Sequence, residues 1–279
     1  MKKKLTTVIV ILVFLIGLSL LLYPTVSDRW NAYHQSRMII SHADSVEKLS
    51  PEIREGYLKD AAVYNEELRT YSDRWKLTAE EKARYEGTLV SDDTEIISYI
   101  EIPKIKQSLP IYHGTATTVL QEAIGHVEGT SLPVGGESTH CALSGHRGLP
   151  SAKLFTDLDK LVEGDQFYLY TMDQVLTYEV DQIRVVVPTD LSTLAIEEGA
   201  DYCTLITCTP YGINTHRLMV RGHRVETVTA KHILITAEAL QIDEITVALV
   251  IGLPVLAIAF LIVILRPRKK KYTETRFGV

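Results

Sequence analysis

The spacing of apolar positions changes character several times along the chain. Leu5 to Leu22 is an almost unbroken apolar run, and Val247 to Leu265 is another. Each is near the roughly 20 residues that a helix needs to cross bilayer hydrocarbon at ~1.5 Å per residue. Past the first run, Trp30, Tyr33, Arg37 and Ile40 recur at helical spacing. Ser50-Pro51 then reads as an N-cap with proline at the first helical position, and Ile53, Tyr57, Ala61, Tyr64 and Leu68 continue that second helix. Thr78 and Glu81 stand in capping-box register for a short third one.

From Ile96 the period becomes that of strands. Candidates are Ile96 to Pro103, Leu109 to Tyr112, Thr139 to Leu143, Gln166 to Thr171, Val175 to Val187, Cys203 to Thr207 and Arg217 to Val225. Met172-Asp173-Gln174 turns a hairpin, Gly125 to Gly136 is loop-rich, and Ser151 to Leu161 reads as a short helix. Many strands with short connections predict a mainly β protein built on a closed or nearly closed barrel.

Charge sharpens the picture. Nine of the 29 basic residues, but only Glu274 of the 35 acidic ones, lie before residue 5 or after residue 265. The strongly acidic middle has no basic stripe, which argues against a nucleic-acid partner. Basic clusters outside both apolar runs put both termini in the cytoplasm by the positive-inside rule, leaving residues 24–244 outside the cell membrane. The first run exceeds the ~7–15 residues of a signal-peptide core and no small-x-small cleavage site follows it, so it reads as a retained anchor.

Three cysteines cannot all pair with one another, and a domain of this size needs no disulfide staples. Cys141 and Cys203 lie inside apolar strands, as small buried hydrophobes do. Cys208 ends its strand, between Thr207 and Thr209 and just before Pro210. Arg217 opens the returning strand, and His146 stands where another strand breaks into a glycine-flanked loop, Gly145-His146-Arg147-Gly148. A thiol, an imidazole and a guanidinium supply nucleophile, acid/base and oxyanion partner for acyl transfer. His113, His126 and His223 lack zinc-like spacing and there is no His-Glu-x-x-His, so no metal and no cofactor is expected.

Thr204-Leu205-Ile206-Thr207-Cys208 with Arg217 downstream and Leu143-Ser144-Gly145-His146-Arg147 upstream resembles the sortase transpeptidases of Gram-positive bacteria. Ile100-Glu101-Ile102-Pro103 and His126 to Pro133 agree, and the resemblance runs from about Tyr85 to Val225. It implies an eight-stranded sortase-type β-barrel with an N-terminal helical segment and two flanking transmembrane helices, and a catalytic set of His146, Cys208 and Arg217. A second apolar run after the barrel, and Asp73-Arg74-Trp75 where a lid of the pattern Asp-Pro-aromatic belongs, resemble the pilus-building class C. The resemblance places Asp73 near the cationic site and Trp75 over Cys208. Arg74 in place of proline makes this lid less stiff and more easily displaced.

The same resemblance implies a secreted substrate ending in an LPxTG-like sorting signal, cleaved between threonine and glycine, with a pilin lysine as acceptor. Anchoring to a peptidoglycan amine is the alternative and differs in the second nucleophile. A sorted surface protein would need such a signal just before its C-terminal span, where the chain reads Leu240-Gln241-Ile242-Asp243-Glu244-Ile245. The implied organisation is 1–23 cytoplasmic tip and anchor, 24–86 helical preface with a lid at about 71–77, and 87–228 catalytic barrel. A juxtamembrane linker at 229–245, a transmembrane helix at 246–265 and a basic cytoplasmic tail at 266–279 complete it.

Overall fold

The computed structural model describes residues 2–91 and 94–227. Helix α1 (Lys2–Lys48) is continuous through Pro24, so the first apolar run and the amphipathic stretch after it form one helix. Among the described residues no helix is long and apolar enough to cross a membrane, so the expected first transmembrane helix is not found as such. The second expected span, Val247 to Leu265, lies outside the described residues.

Helix α2 (Pro51–Leu68) starts on Ser50, whose side chain accepts from the Ile53 N–H. Helix α3 (Ala79–Gly87) carries the full capping box: Thr78 Oγ1 accepts from Glu81 N, and Glu81 Oε2 from Thr78 N at 2.7 Å. Both helices pack onto the barrel through Ala61, Tyr64, Leu68 and Tyr85, which belong to the same apolar core as the strands. Helices α2 and α3 therefore share one packed core with the barrel.

The strands are β1 (Ser98–Ile102), β2 (Gln107–His113), β3 (Ile124–His126), β4 (Thr139–Ser144), β5 (Gln166–Thr171), β6 (Gln174–Val186), β7 (Asp201–Thr209) and β8 (His216–Val225). They close in the order β1-β2-β3-β4-β7-β8-β6-β5, with β5 returning to β1. The β2–β3 and β4–β7 pairs are parallel and the rest antiparallel. Side chains alternate between a filled interior and an outer face, as the period of two requires. On β7 and β8 the interior takes Cys203, Leu205, Leu218 and Val220, while Ile206 and Met219 join a separate outer cluster.

Two expectations fail for identifiable reasons. Strand β3 is only three residues long and sits in the stretch read as loop, too short to show a period. Ser151 to Leu161 is not a helix; it contains one 3-10 turn, Leu158–Lys160. Ala152, Leu154, Phe155, Leu158 and Leu161 are all buried there, and Leu154 has φ +41°. The positive φ at Leu154 lies outside the right-handed helical region, so the chain cannot run as one α-helix through it.

Candidate active site

Two paired strands and the loop after a third carry the expected catalytic residues. In the antiparallel β7–β8 ladder Cys208 lies directly opposite Arg217. On the other side of β7, the parallel β4 register runs from Thr139–Asp201 to Ser144–Ile206. The Gly145 N–H donates to Ile206 O at 3.0 Å, and Thr207 Oγ1 donates to Gly145 O at 2.8 Å, so Gly145 stays tied to β7 just past the end of β4. His146 is the next residue, on the loop that leaves β4, and its carbonyl accepts from Phe155 N at 3.1 Å. Parity places Cys208 and Arg217 on the outer face shared by Ile206 and Met219. Each of the three is partly exposed, whereas Thr207 beneath them is buried.

The turn carrying His146 has little room. A Cβ on Gly145 would meet Ile124 Cδ1 at 2.6 Å and Phe155 at 2.7 Å. Gly148 has φ +76°, and a Cβ there would strike the Tyr211 ring at 2.7 Å. Between them Arg147 pairs with Asp159, donates to Thr209 Oγ1 at 3.4 Å and lies 5.9 Å from the Tyr211 ring centroid. This nearly buried cation thus ties the histidine loop to the residues that come after the cysteine. Helix α1 braces the same loop from outside: Asn31 Nδ2 donates to Ser151 O at 2.7 Å, and Asp28 Oδ1 accepts from Lys153 N at 2.8 Å. Burial lowers the His146 pKa, which favours the neutral imidazole in the resting site.

Arg217 donates through Nη1 to the carbonyls of Asn214 and His216, at 3.3 and 3.1 Å, which fixes its guanidinium near the start of β8. The other two cysteines, Cys141 and Cys203, pair in register inside the barrel, and burial pushes the Cys203 thiol well up. Only Cys208 has the exposure a nucleophile needs. Among the described residues no group of three or more His, Cys, Asp or Glu is placed to hold a metal.

The segment read as a lid crosses the same outer face. Trp75 packs against the cluster of Ala142, Leu194, Ile206 and Met219. Ile206 and Met219 are a register pair one row, ~7 Å, from Cys208 and Arg217. Asp73 is exposed and turned into its own loop, where Oδ1 accepts from Trp75 N at 3.0 Å. No ion pair within 4 Å joins it to Arg217 among the described residues, in contrast to the expected place beside the cationic site. Arg74, expected to loosen the lid, instead donates from Nη1 to Gly129 O at 3.0 Å and from Nη2 to Leu194 O at 2.7 Å. Its guanidinium also lies 4.4 Å from the Trp75 ring centroid.

A closed eight-stranded barrel with a thiol and a guanidinium paired on adjacent strands, and an imidazole on the loop after a third, has the groups of a cysteine acyl-transfer enzyme. A family model described as the sortase domain matches residues 100–225. The crystal structure of sortase C1 from Streptococcus agalactiae is similar at 50% identity, over 68% of this chain and 98% of that one, with a TM-score of 0.66. Sortase C from Streptococcus pneumoniae, whose structure bears on catalysis and pilin substrate specificity, is 45% identical over 67% and 96%, with a TM-score of 0.60. Sortase A of Bacillus anthracis is 26% identical over 230 residues, 82% of this chain and 99% of the relative. The chain belongs to the sortase family of cysteine transpeptidases, in class C.

Proposed function

We propose that this transpeptidase cleaves LPxTG-like sorting signals of pilin subunits between threonine and glycine and joins the acyl group to a pilin lysine, building a covalent fibre. The observation that carries this reading is the pairing of Cys208 with Arg217 across β7 and β8, with His146 on the loop that leaves the neighbouring β4. In this scheme the neutral His146 takes the Cys208 thiol proton as the sulfur attacks the threonine carbonyl carbon, and Arg217 stabilises the resulting oxyanion. The tetrahedral adduct collapses to a thioester as the now protonated His146 gives that proton to the departing glycine amine. The lysine amine then attacks the thioester, His146 takes a proton from it and returns it to the departing sulfur, so the residues end as they began. The similarity to class C sortases supports the pilin as substrate and acceptor.

Asp73 and Trp75 belong to a lid over this site in the same reading, with Arg74 as its anchor; residues 87–228 form the catalytic domain and 24–86 the lid-bearing preface. Leu5 to Leu22 and Val247 to Leu265 support membrane anchorage with both termini cytoplasmic and the barrel outside.

The test incubates the purified chain with a sorting-signal peptide and a lysine-bearing pilin fragment, with intact-mass spectrometry as the readout. The expected results are an acyl adduct that vanishes with Cys208→Ala and a ligated product linked through lysine. Adduct resolved by peptidoglycan-type amines alone would replace the pilus reading with cell-wall anchoring.

A further inference from the structure

Two backbone carbonyls beside the outer-face cluster hold a cation that belongs to the chain itself. Gly129 O comes from the loop between β3 and β4, and Leu194 O from the connection between β6 and β7. They converge on one planar guanidinium, that of Arg74, at 3.0 and 2.7 Å. Burial pulls the Arg74 pKa below its usual value, so the site takes the cation at some desolvation cost. Hydrogen bonds from a charged donor offset that cost. Next to this seat is an apolar one, where Trp75 meets Ala142, Leu194, Ile206 and Met219. Leu194 belongs to both, its carbonyl to the cation and its side chain to the cluster under the ring.

We propose that the Gly129 and Leu194 carbonyls form a subsite for a basic side chain of the donor peptide, directly before the leading leucine of its sorting signal. The lid then fills in cis, with Arg74 and Trp75, the seats that a basic residue and a leucine fill in the substrate complex. The inference rests on the reading of the chain as an enzyme acting on LPxTG-like signals. Its geometry is consistent with the position of the nucleophile. A leucine on the Ile206–Met219 floor has its threonine three residues further on, up to ~10 Å in an extended chain. Cys208 is one register row away, ~7 Å along the same strand. The lid order, cation then apolar ring, is also the order of the peptide. Carbonyls offer acceptors and no donors, so an acidic residue at that position is repelled and an apolar one leaves both acceptors unmatched.

The test measures binding without turnover, by calorimetry on the full chain carrying Cys208→Ala. Two sorting-signal peptides are compared, one with arginine and one with norleucine directly before the leucine. In the chain that also carries Arg74→Ala the seat is empty, and the arginine peptide should bind roughly 10-fold more tightly. With Arg74 retained the preference should shrink, because the tethered guanidinium competes for the same carbonyls. Equal affinity of the two peptides for the Arg74→Ala chain would overturn the subsite and leave the sorting-signal reading intact. Binding of neither peptide to either chain would overturn both.

Discussion

Cys208 and Arg217 face each other across the β7–β8 ladder, so the reach of the guanidinium is set by strand register rather than by a flexible loop. Lysine at this position keeps the charge and loses the planar fork that can hold two backbone carbonyls while presenting a further N–H. Arg217→Lys should therefore lower kcat for peptide transfer by roughly 100-fold, with KM changed by no more than a few-fold, since the lost interaction develops with the oxyanion. Steady-state kinetics with the sorting-signal peptide check this; an equal effect confined to KM would reassign Arg217 to ground-state binding. The proposed reacting residues are legible in the sequence because each stands where a strand meets glycine or proline punctuation. Arg74 is not. Its partners lie 55 and 120 positions away, and nothing local shows that a residue replacing proline becomes the anchor of its segment.

At the scale of elements, the lid depends on close approach to the loop between β3 and β4. Gly129 has φ +85°, and a Cβ there would lie 2.1 Å from Arg74 O and 3.2 Å from Trp75 Cε3. Alanine at this position meets backbone rather than a yielding side chain, besides adopting a left-handed conformation that costs about 1 kcal/mol or more. Gly129→Ala should lift the lid and raise the rate of Cys208 labelling by a thiol reagent by roughly 10-fold, as Trp75→Ala should by removing the ring. If labelling is unchanged in both, the segment does not cover the thiol. The helices that flank the lid are legible from caps alone: Ser50-Pro51 and the Thr78–Glu81 box mark their starts within a residue. Strand β3 and the loop after His146 are not, because one is too short to show a period and the other owes its shape to packing. Phe155 and Ile124 press on Gly145, a contact between stretches that share no local signal.

At the scale of the whole molecule, two imidazoles with strongly lowered pKa values, His42 and His113, tie stability to pH. His42 on α1 and His113 at the end of β2 are both held near a pKa of about 4 by burial. His113 makes one hydrogen bond, Nε2 to Thr88 O at 2.8 Å, and its ring stands edge-on to Tyr85 at 4.4 Å; Nδ1 of each histidine finds no hydrogen-bond partner. An unfolded histidine titrates near 6.5, so between that pH and about 4 the unfolded chain binds more protons than the folded one. The folded state then loses stability as pH falls through this window and keeps it above. Each group accounts for at most on the order of 3 kcal/mol. These sites lie where α1 and the α3 end of the helical preface meet the barrel, so acid should loosen the supports of the lid together with the fold. Chemical denaturation of the purified chain at pH 7, 5.5 and 4.5 should show a falling midpoint, and His113→Gln, which keeps a donor for Thr88 O without a titrating ring, should flatten the fall. A midpoint independent of pH across that range would mean that neither imidazole is buried neutral in the folded chain.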